Sequence, residues 1–435
     1  MTGNEFSDRG TLTRAQAARL ATLISSIYGR NRFYTRKLDA AGIRPETLRF
    51  PDDLERLPTT SKKELVDDQA ALPPWGTVLT EPVDRYTRYN QTSSTTGTPL
   101  RWLDTNESWQ WMLDCWKAVY RAANVTSNDR ILFPFSFGPF LGFWTAFEAG
   151  CQIGAHCIPA GGMSSQARLG LVETLRPTVV CCTPTYALRL AEVAAAVEGP
   201  PMLSQSSVRV LIVAGEAGGS IPSTRSRIES AWGARLIDHH GLTEVGPVSF
   251  ECWEAPGHVH LNECEYVCEV LELGSDRPTP DGHEGELVLT NLGRTASPVI
   301  RYRTGDIVVR RHDACPCGRT LAWLDGGVRS RADDMVNVRG VNVYPAAIED
   351  ILRRFHEVDE YRATVSWAGE LRSLAIEIEL VQNGLVSDAS AAAHHIGAAL
   401  KESLGLHVPI HVLDYGTLPR FEMKSRRFVV IENRA

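Results

Sequence analysis

Apolar positions recur at helical spacing near the start of the chain, in Ala17-Ala18-Leu20-Ala21-Leu23-Ile24, and predict that roughly the first 75 residues are mostly helical. After Pro58, Ser61-Lys62-Lys63-Glu64 has the form of a capping box, in which a hydroxyl and a carboxylate three residues apart satisfy N–H groups left open at a helix start. Over residues 130–240 the texture changes. Short β-rich runs, Ile131-Leu132-Phe133, Thr178-Val179-Val180-Cys181-Cys182 and Val208-Arg209-Val210-Leu211-Ile212-Val213, alternate with helical stretches such as 187–197. That alternation predicts an α/β sheet. Glu286-Leu287-Val288-Leu289-Thr290 and Asp306-Ile307-Val308-Val309 lie between turn signals and read as antiparallel strands. A smaller α+β unit is expected to begin near Asp333, with a strand over 336–343, a helix over 345–355, a strand near 374–380 and a helix over 391–404.

Length makes that division necessary. A chain of 435 residues exceeds the roughly 250 to 300 at which a single core stops growing. The expected fold is an α/β multilayer: a large N-terminal domain with mixed sheets, residues 1–332, and a small C-terminal α+β domain, residues 333–435. An apolar share of 43% with 22% charged residues places the chain among globular proteins. With 52 acidic against 45 basic residues and no long Lys/Arg run, the electrostatic footprint of a nucleic-acid binder is missing. Residues 1–21 are polar and charged, and no long uncharged apolar stretch occurs, so neither an export signal nor a membrane span is read and a cytoplasmic address is expected. The ten scattered cysteines then read as reduced thiols or metal ligands.

Five polar constellations carry candidate chemistry. Thr92-Ser93-Ser94-Thr95-Thr96-Gly97-Thr98-Pro99 is a run of small hydroxylated residues whose backbone N–H groups can approach a phosphate; it lacks the Gly-Lys-Ser ending of a Walker loop. His239-His240-Gly241-Leu242-Thr243-Glu244 follows a predicted strand ending at Asp238, where a hydroxyl and a carboxylate can serve a phosphate and its Mg²⁺. Arg301-Tyr302-Arg303-Thr304-Gly305-Asp306 offers a carboxylate to a ribose diol. The last two are Arg331-Ala332-Asp333-Asp334-Met335-Val336-Asn337-Val338-Arg339-Gly340 and Leu418-Pro419-Arg420-Phe421-Glu422-Met423-Lys424-Ser425-Arg426-Arg427. Each alone could be a solvated loop or turn; in this order and spacing they belong together.

With these motifs the chain resembles the adenylate-forming superfamily of acyl-CoA synthetases, nonribosomal adenylation domains and luciferases, and within it the phenylacetate-CoA ligase branch. Asn31-Arg32-Phe33-Tyr34, Leu57-Pro58-Thr59-Thr60, Ala160-Gly161-Gly162-Met163, Thr183-Pro184-Thr185-Tyr186 and Gly340-Val341-Asn342-Val343-Tyr344-Pro345 extend the likeness over nearly the whole chain. The resemblance implies that Thr92 to Thr98, hence Thr92, Ser93, Ser94, Thr95, Thr96 and Gly97, form the phosphate loop. It implies that Gly215, Glu216, Ala217, Asp238, His239 and His240 border the nucleotide, that Thr243 meets the α-phosphate and that Glu244 holds Mg²⁺. Asp306 would hold the ribose with help from Arg331, Asp333 would be the hinge of a mobile C-terminal domain, and Lys424 would bridge the carboxylate and the α-phosphate. The implied reaction joins an aromatic carboxylic acid to AMP, then to coenzyme A, with release of AMP and pyrophosphate. A carrier-protein thiol or an amine is the alternative acceptor, a non-catalytic binding relative is a third reading, and a homodimer is possible. Ser94, Thr98, Ser330 and His240 depart from the residues usual in the superfamily, which are Gly, Lys, Gly and Tyr.

Two features stand apart from the nucleotide motifs. Phe135 and Phe137, in an aromatic run after a strand, with Ala160, Gly161, Gly241 and Tyr186, are candidates for a flat apolar acyl pocket. Cys315-Pro316-Cys317 with the upstream Cys252 and a histidine suits a closed structural zinc site. His258 is taken as the fourth ligand and His260 as its alternative. The pairs Cys181-Cys182 and Cys264/Cys268 read as core or surface thiols.

Overall fold

The computed structural model describes residues 4–92, 98–196, 203–332, 334–339, 341–368, 371–381, 389–421 and 425–431. The first layer is helical. α1 (Arg9–Ile27) is capped by Asp8, which accepts from the Thr11 N–H, and buries Leu12, Leu20, Leu23, Ile24 and Ile27. α2 (Arg32–Ala40) is capped by Asn31, and α3 (Lys62–Ala71) opens on the full Ser61/Glu64 capping box. An antiparallel ribbon follows, β1 (Arg88–Gln91) with β2 (Arg101–Asp104), and then α4 (Asn106–Ala122), which buries Trp109, Trp111 and Trp116.

Next comes a parallel sheet wound with helices: β3 (Arg130–Phe133), α5 (Trp144–Gln152), β4 (His156–Pro159), α6 (Ser165–Leu175), β5 (Val179–Cys182), α7 (Pro184–Ala195), β6 (Val210–Val213), α8 (Pro222–Trp232) and β7 (Arg235–Asp238). The strand order is β4-β3-β5-β6-β7, all parallel. Every residue of β5 and β6 is buried, which is why those strands read as unbroken apolar runs. Successive side chains point to opposite faces. Val179, Cys181, Val210 and Ile212 accordingly join the core shared with α4, while Val180, Cys182, Leu211 and Val213 join a second core that includes Tyr186, Ile228 and Trp232.

A short hairpin, β8 (Gly241–Leu242) with β9 (Gly246–Pro247), leads into an antiparallel sheet of β10 (Ser249–Glu251), β11 (His258–Leu261), β12 (Tyr266–Leu271), β13 (Glu284–Asn291), β14 (Tyr302–Arg311) and β15 (Trp323–Arg331), in the order β10-β11-β15-β14-β13-β12. The runs at 286–290 and 306–309 fall in β13 and β14, which pair antiparallel with Glu286 opposite Ile307. No helix among the described residues is long and apolar enough to cross a membrane.

The C-terminal unit contains β16 (Val336–Val338), β17 (Val341–Val343), α9 (Pro345–Arg353), β18 (Val358–Ala368), β19 (Leu371–Leu380), α10 (Ala389–Leu404), β20 (Ile410–Leu413) and β21 (Phe428–Val430). Its core is separate and includes Val343, Ile348, Leu352, Ile376, Ile396 and Leu400. The single strand expected over 336–343 is instead a hairpin, turned at Arg339 with φ +50°. The unit rests on α8, where the Ser223 hydroxyl donates to Asp350 (3.0 Å) and Arg227 donates to the Val358 carbonyl (3.2 Å).

Candidate active site

The carboxyl ends of parallel strands are where open α/β sheets present their ligand loops. β7 ends at Asp238, whose Oδ2 accepts from the Ser220 hydroxyl. The buried His239 ring lies 4.3 Å from the Trp116 ring, with Nδ1 2.6 Å from the Ser249 carbonyl, and burial lowers its pKa to about 4, so its imidazole is neutral. His240 turns toward the antiparallel sheet, and its Nε2 lies 2.9 Å from Asp306 Oδ2. Asp306 faces Arg331 across the β14/β15 ladder and accepts from it through Oδ1 at 3.0 Å. Burial alone would raise the Asp306 carboxyl, but His240 and Arg331 outweigh it and hold the pKa below the ordinary 3.8. The Nδ1 of His240 is buried and has no hydrogen-bond partner among the described residues.

The β8/β9 turn carries Thr243 and Glu244. Glu244 is buried; its Oε1 accepts from the Tyr302 hydroxyl at 3.2 Å and lies 3.4 Å from the Lys62 ammonium at the start of α3. The Thr243 carbonyl accepts from Arg294 at 2.6 Å, and the fully buried Arg294 forks onto both oxygens of Asp104, at 2.6 Å each. The last residue of β2 and the Thr243 turn are thereby fastened through one guanidinium. Thr92 closes the other end of the ribbon, donating its N–H to the Leu100 carbonyl and accepting from the Leu100 N–H through Oγ1, each at 3.0 Å. Ser93, Ser94, Thr95, Thr96, Gly97, Asp333 and Lys424 lie outside the described residues.

Beyond β6, Gly215 takes φ +96°, a backbone region suited to glycine. Glu216, between the exposed Gly215 and Ala217, accepts from the Thr185 N–H (2.9 Å) and the Ser425 N–H (2.8 Å).

A cavity of about 310 Å³ opens beside β3 and β5, with Phe135, Ser136, Met163, Arg168, Thr183 and Tyr186 among its walls. Gly161 packs so close to this loop that a Cβ would lie 2.8 Å from the Phe135 carbonyl oxygen. Phe135 and Tyr186 thus share one space. Phe137 is instead packed edge-on against Trp144 and Phe147, Ala160 is buried, and Gly241 is not among the cavity's lining residues. The buried Arg168 was missed by sequence reasoning, because nothing local marks it. It donates to the Ala160 carbonyl (2.9 Å) and the Tyr186 hydroxyl (2.5 Å), and its guanidinium lies 4.9 Å from the Tyr186 ring centroid. Lys62 and Arg294 escaped notice for the same reason.

The cysteine prediction needs one correction. Cys252, Cys315, Cys317 and His260, not His258, bring their donor atoms within 4.8 Å of one another. His258 and His260 project from the same face of β11, and the contacts of each ring decide which one faces the thiols. His258 stacks on Trp323 with ring centroids 3.6 Å apart, whereas His260 Nε2 lies 3.4 Å from Cys317 Sγ. Cys181, Cys182 and Cys115 are buried thiols, and burial pushes all three upward in pKa.

Polar groups from the end of β7, the β8/β9 turn, β14 and β15 thus gather at the carboxyl edge of the parallel sheet. Residues 56–294 match the AMP-binding enzyme family and residues 340–434 match the AMP-binding enzyme C-terminal domain, so the chain belongs to the AMP-binding enzyme family. It is 30% identical to a phenylacetate-coenzyme A ligase of Thermus thermophilus over 98% of both chains, and 30% identical to that of Escherichia coli over 97% of this chain and 95% of the other. Among solved structures, a 2-hydroxyisobutyryl-CoA ligase in the postadenylation state superimposes with a TM-score of 0.93 at 26% identity, covering 99% of this chain and 91% of that one. The same ligase in its thioesterification state, with CoA bound, gives 0.74 at 25% identity over 98% and 91%.

Proposed function

We propose that the protein is an ATP-dependent acid–thiol ligase that converts a carboxylic acid, with aromatic acids as the substrate class, first to its acyl-adenylate and then to its coenzyme A thioester. The observation that carries this is the grouping of Asp306, His240 and Arg331 beside the Thr243–Glu244 turn, in a chain similar to phenylacetate-CoA ligases from end to end.

In the first step a carboxylate oxygen attacks the α-phosphorus of ATP; a C(=O)–O–P linkage forms and the bond to pyrophosphate breaks. Two anions meet, so donors and cations must already stand where charge collects. Asp306, ionised and fixed by His240 and Arg331, accepts from the ribose hydroxyls. Gly215, Ala217 and the Asp238–His239 corner border the adenine, and the Thr243 hydroxyl meets the α-phosphate. The loop from Thr92 receives the outer phosphates. The buried Glu244 carboxylate suits a hard oxygen-seeking cation, and Mg²⁺ held there would neutralise phosphate charge. Lys62 supplies a second positive group beside it. Lys424 bridges the two anions. In the second step the thiolate of coenzyme A attacks the acyl carbon, and AMP leaves. Phe135 and Tyr186 offer ring faces and edges to an aryl group in the cavity they share.

The cysteine cluster is proposed as a structural zinc site. Zn–S bonds of about 2.3 Å in a tetrahedron place sulfurs roughly 3.7 Å apart. Cys252 and Cys315 Sγ are 3.6 Å apart, and burial holds His260 neutral with a pKa of about 4, the form in which imidazole ligates.

The test is acid-dependent pyrophosphate release from ATP across benzoates, phenylacetates, aminobenzoates, short hydroxy acids and fatty acids, with and without coenzyme A. Turnover with an aryl acid that requires coenzyme A is the expected result. Release indifferent to coenzyme A would point to another acceptor, a preference for a hydroxy or fatty acid would overturn the aromatic assignment, and silence across the panel would overturn the ligase assignment.

A further inference from the structure

Glu216 receives two N–H donors from parts of the chain with separate cores. Thr185 stands in the first turn of α7, where backbone N–H groups have no intrahelical partner, and its N–H donates to Glu216 Oε1 at 2.9 Å. Ser425, which follows Lys424 directly in the chain, donates its N–H to Oε2 at 2.8 Å. A second link runs alongside. Arg427 donates to Thr185 Oγ1 at 3.2 Å while its Nη2 holds Glu360, on β18, at 3.0 Å. The terminal segment of the C-terminal unit is therefore tied at two points to the carboxyl edge of the parallel sheet. Charge-assisted bonds of this type are roughly twice as strong as neutral ones.

These ties belong to the arrangement of the two units seen in this structure. The chain superimposes at 0.92 and 0.93 on the related ligase after adenylation, and at 0.74 on its thioesterification state. The difference lies between whole chains that differ little in coverage.

We propose that Glu216 is a positioning residue for the adenylation half-reaction: with Thr185 it latches Ser425 and Arg427 onto the parallel sheet, and the latch opens before the thiol attacks. The proposal rests on the ligase activity above. Its chemistry is specific, because two N–H donors converge on one carboxylate, and a carboxamide of the same shape can accept through only one oxygen while turning its NH₂ against the other donor.

The experiment measures the two half-reactions separately in the full-length protein: acid-dependent pyrophosphate release, and thioester formation from a supplied synthetic acyl-adenylate with coenzyme A. Glu216→Gln should lower the first about ten- to a hundredfold, the range expected for losing a hydrogen bond to a charged group, and leave the second within about twofold. Thr185→Val removes the Arg427 acceptor and the hydroxyl that hydrogen-bonds Glu216, keeps the Thr185 N–H, and should act in the same direction with a smaller effect. It carries the test if Glu216→Gln loses its thermal transition. Equal loss of both half-reactions, or of neither, in a protein whose wild type is active overturns the latch. A wild type silent in pyrophosphate release removes the ligase assignment itself, and the latch with it.

Discussion

Asp306 shows how a single carboxylate is prepared for its task by its place in a sheet. Antiparallel register sets Arg331 opposite it, the β7 corner brings His240 to its other oxygen, and both hold the buried group ionised. Its folded pKa lies below the ordinary 3.8, so its contribution to stability is present above that value and is lost as pH falls through the lowered one. The window is acidic, below about pH 4, and the Asp306-dependent part of ATP affinity should stay flat between about pH 5 and 8. Asp306→Ala should weaken ATP binding about ten- to a hundredfold by calorimetry, since a charged acceptor is removed and Arg331 loses its partner. Wild-type affinity in that variant would eliminate the ribose role.

Elements bring together what the chain keeps apart, and two clusters show it. Arg294, after β13, ties the ribbon to the Thr243 turn through a pair with Asp104 that has no exposed surface. Removing one partner leaves a buried charge uncompensated, so Arg294→Met should cost about 3 to 5 kcal/mol in denaturant unfolding. A loss below about 1 kcal/mol would mean that the site relaxes or takes in water. The cysteine cluster fastens the end of β10, β11 and the segment before β15. Replacing Cys315 and Cys317 by Ser should release about one zinc per chain and lower Tm, with the adenylation rate changed less than stability is; protein purified without metal would dismiss the site. These clusters also mark what the sequence could and could not reveal. β5 and β6 were legible because burial on both faces demands unbroken apolar runs. In β16 and β17 the valines change parity, from 336 and 338 to 341 and 343, and that shift was the overlooked sign of a turn. In β18 Tyr361, Ala363 and Val365 alternate with Arg362, Thr364 and Ser366 and are buried, a strand pattern that was there to be read. Site residues were readable where several fall in one loop, as in 238–244. Lys62, Arg168 and Arg294 were not, because each reaches its partner only through the fold.

At the scale of the whole molecule, one pocket must serve two reactions that need different neighbours around the same acyl carbon. Adenylation gathers negative charge and requires a cation between carboxylate and phosphate; thiol transfer requires that approach to be open. A unit with its own core, resting on α8 through contacts such as Ser223 with Asp350, can exchange one set of groups for another without disturbing the sheet that holds the nucleotide. The chain as it stands corresponds to the arrangement of the related ligase after adenylation. Lys424→Ala should therefore separate the two steps: acid-dependent pyrophosphate release should fall by about two to three orders of magnitude, as when a preorganised transition-state donor is removed. Thioester formation from supplied acyl-adenylate should persist near the wild-type rate, because the carboxylate is already joined to the phosphate and two separate anions no longer have to be brought together. If Lys424→Ala lost both steps in proportion, the lysine would belong to a fixed site serving both reactions, and the division of labour between the two units would have to be abandoned.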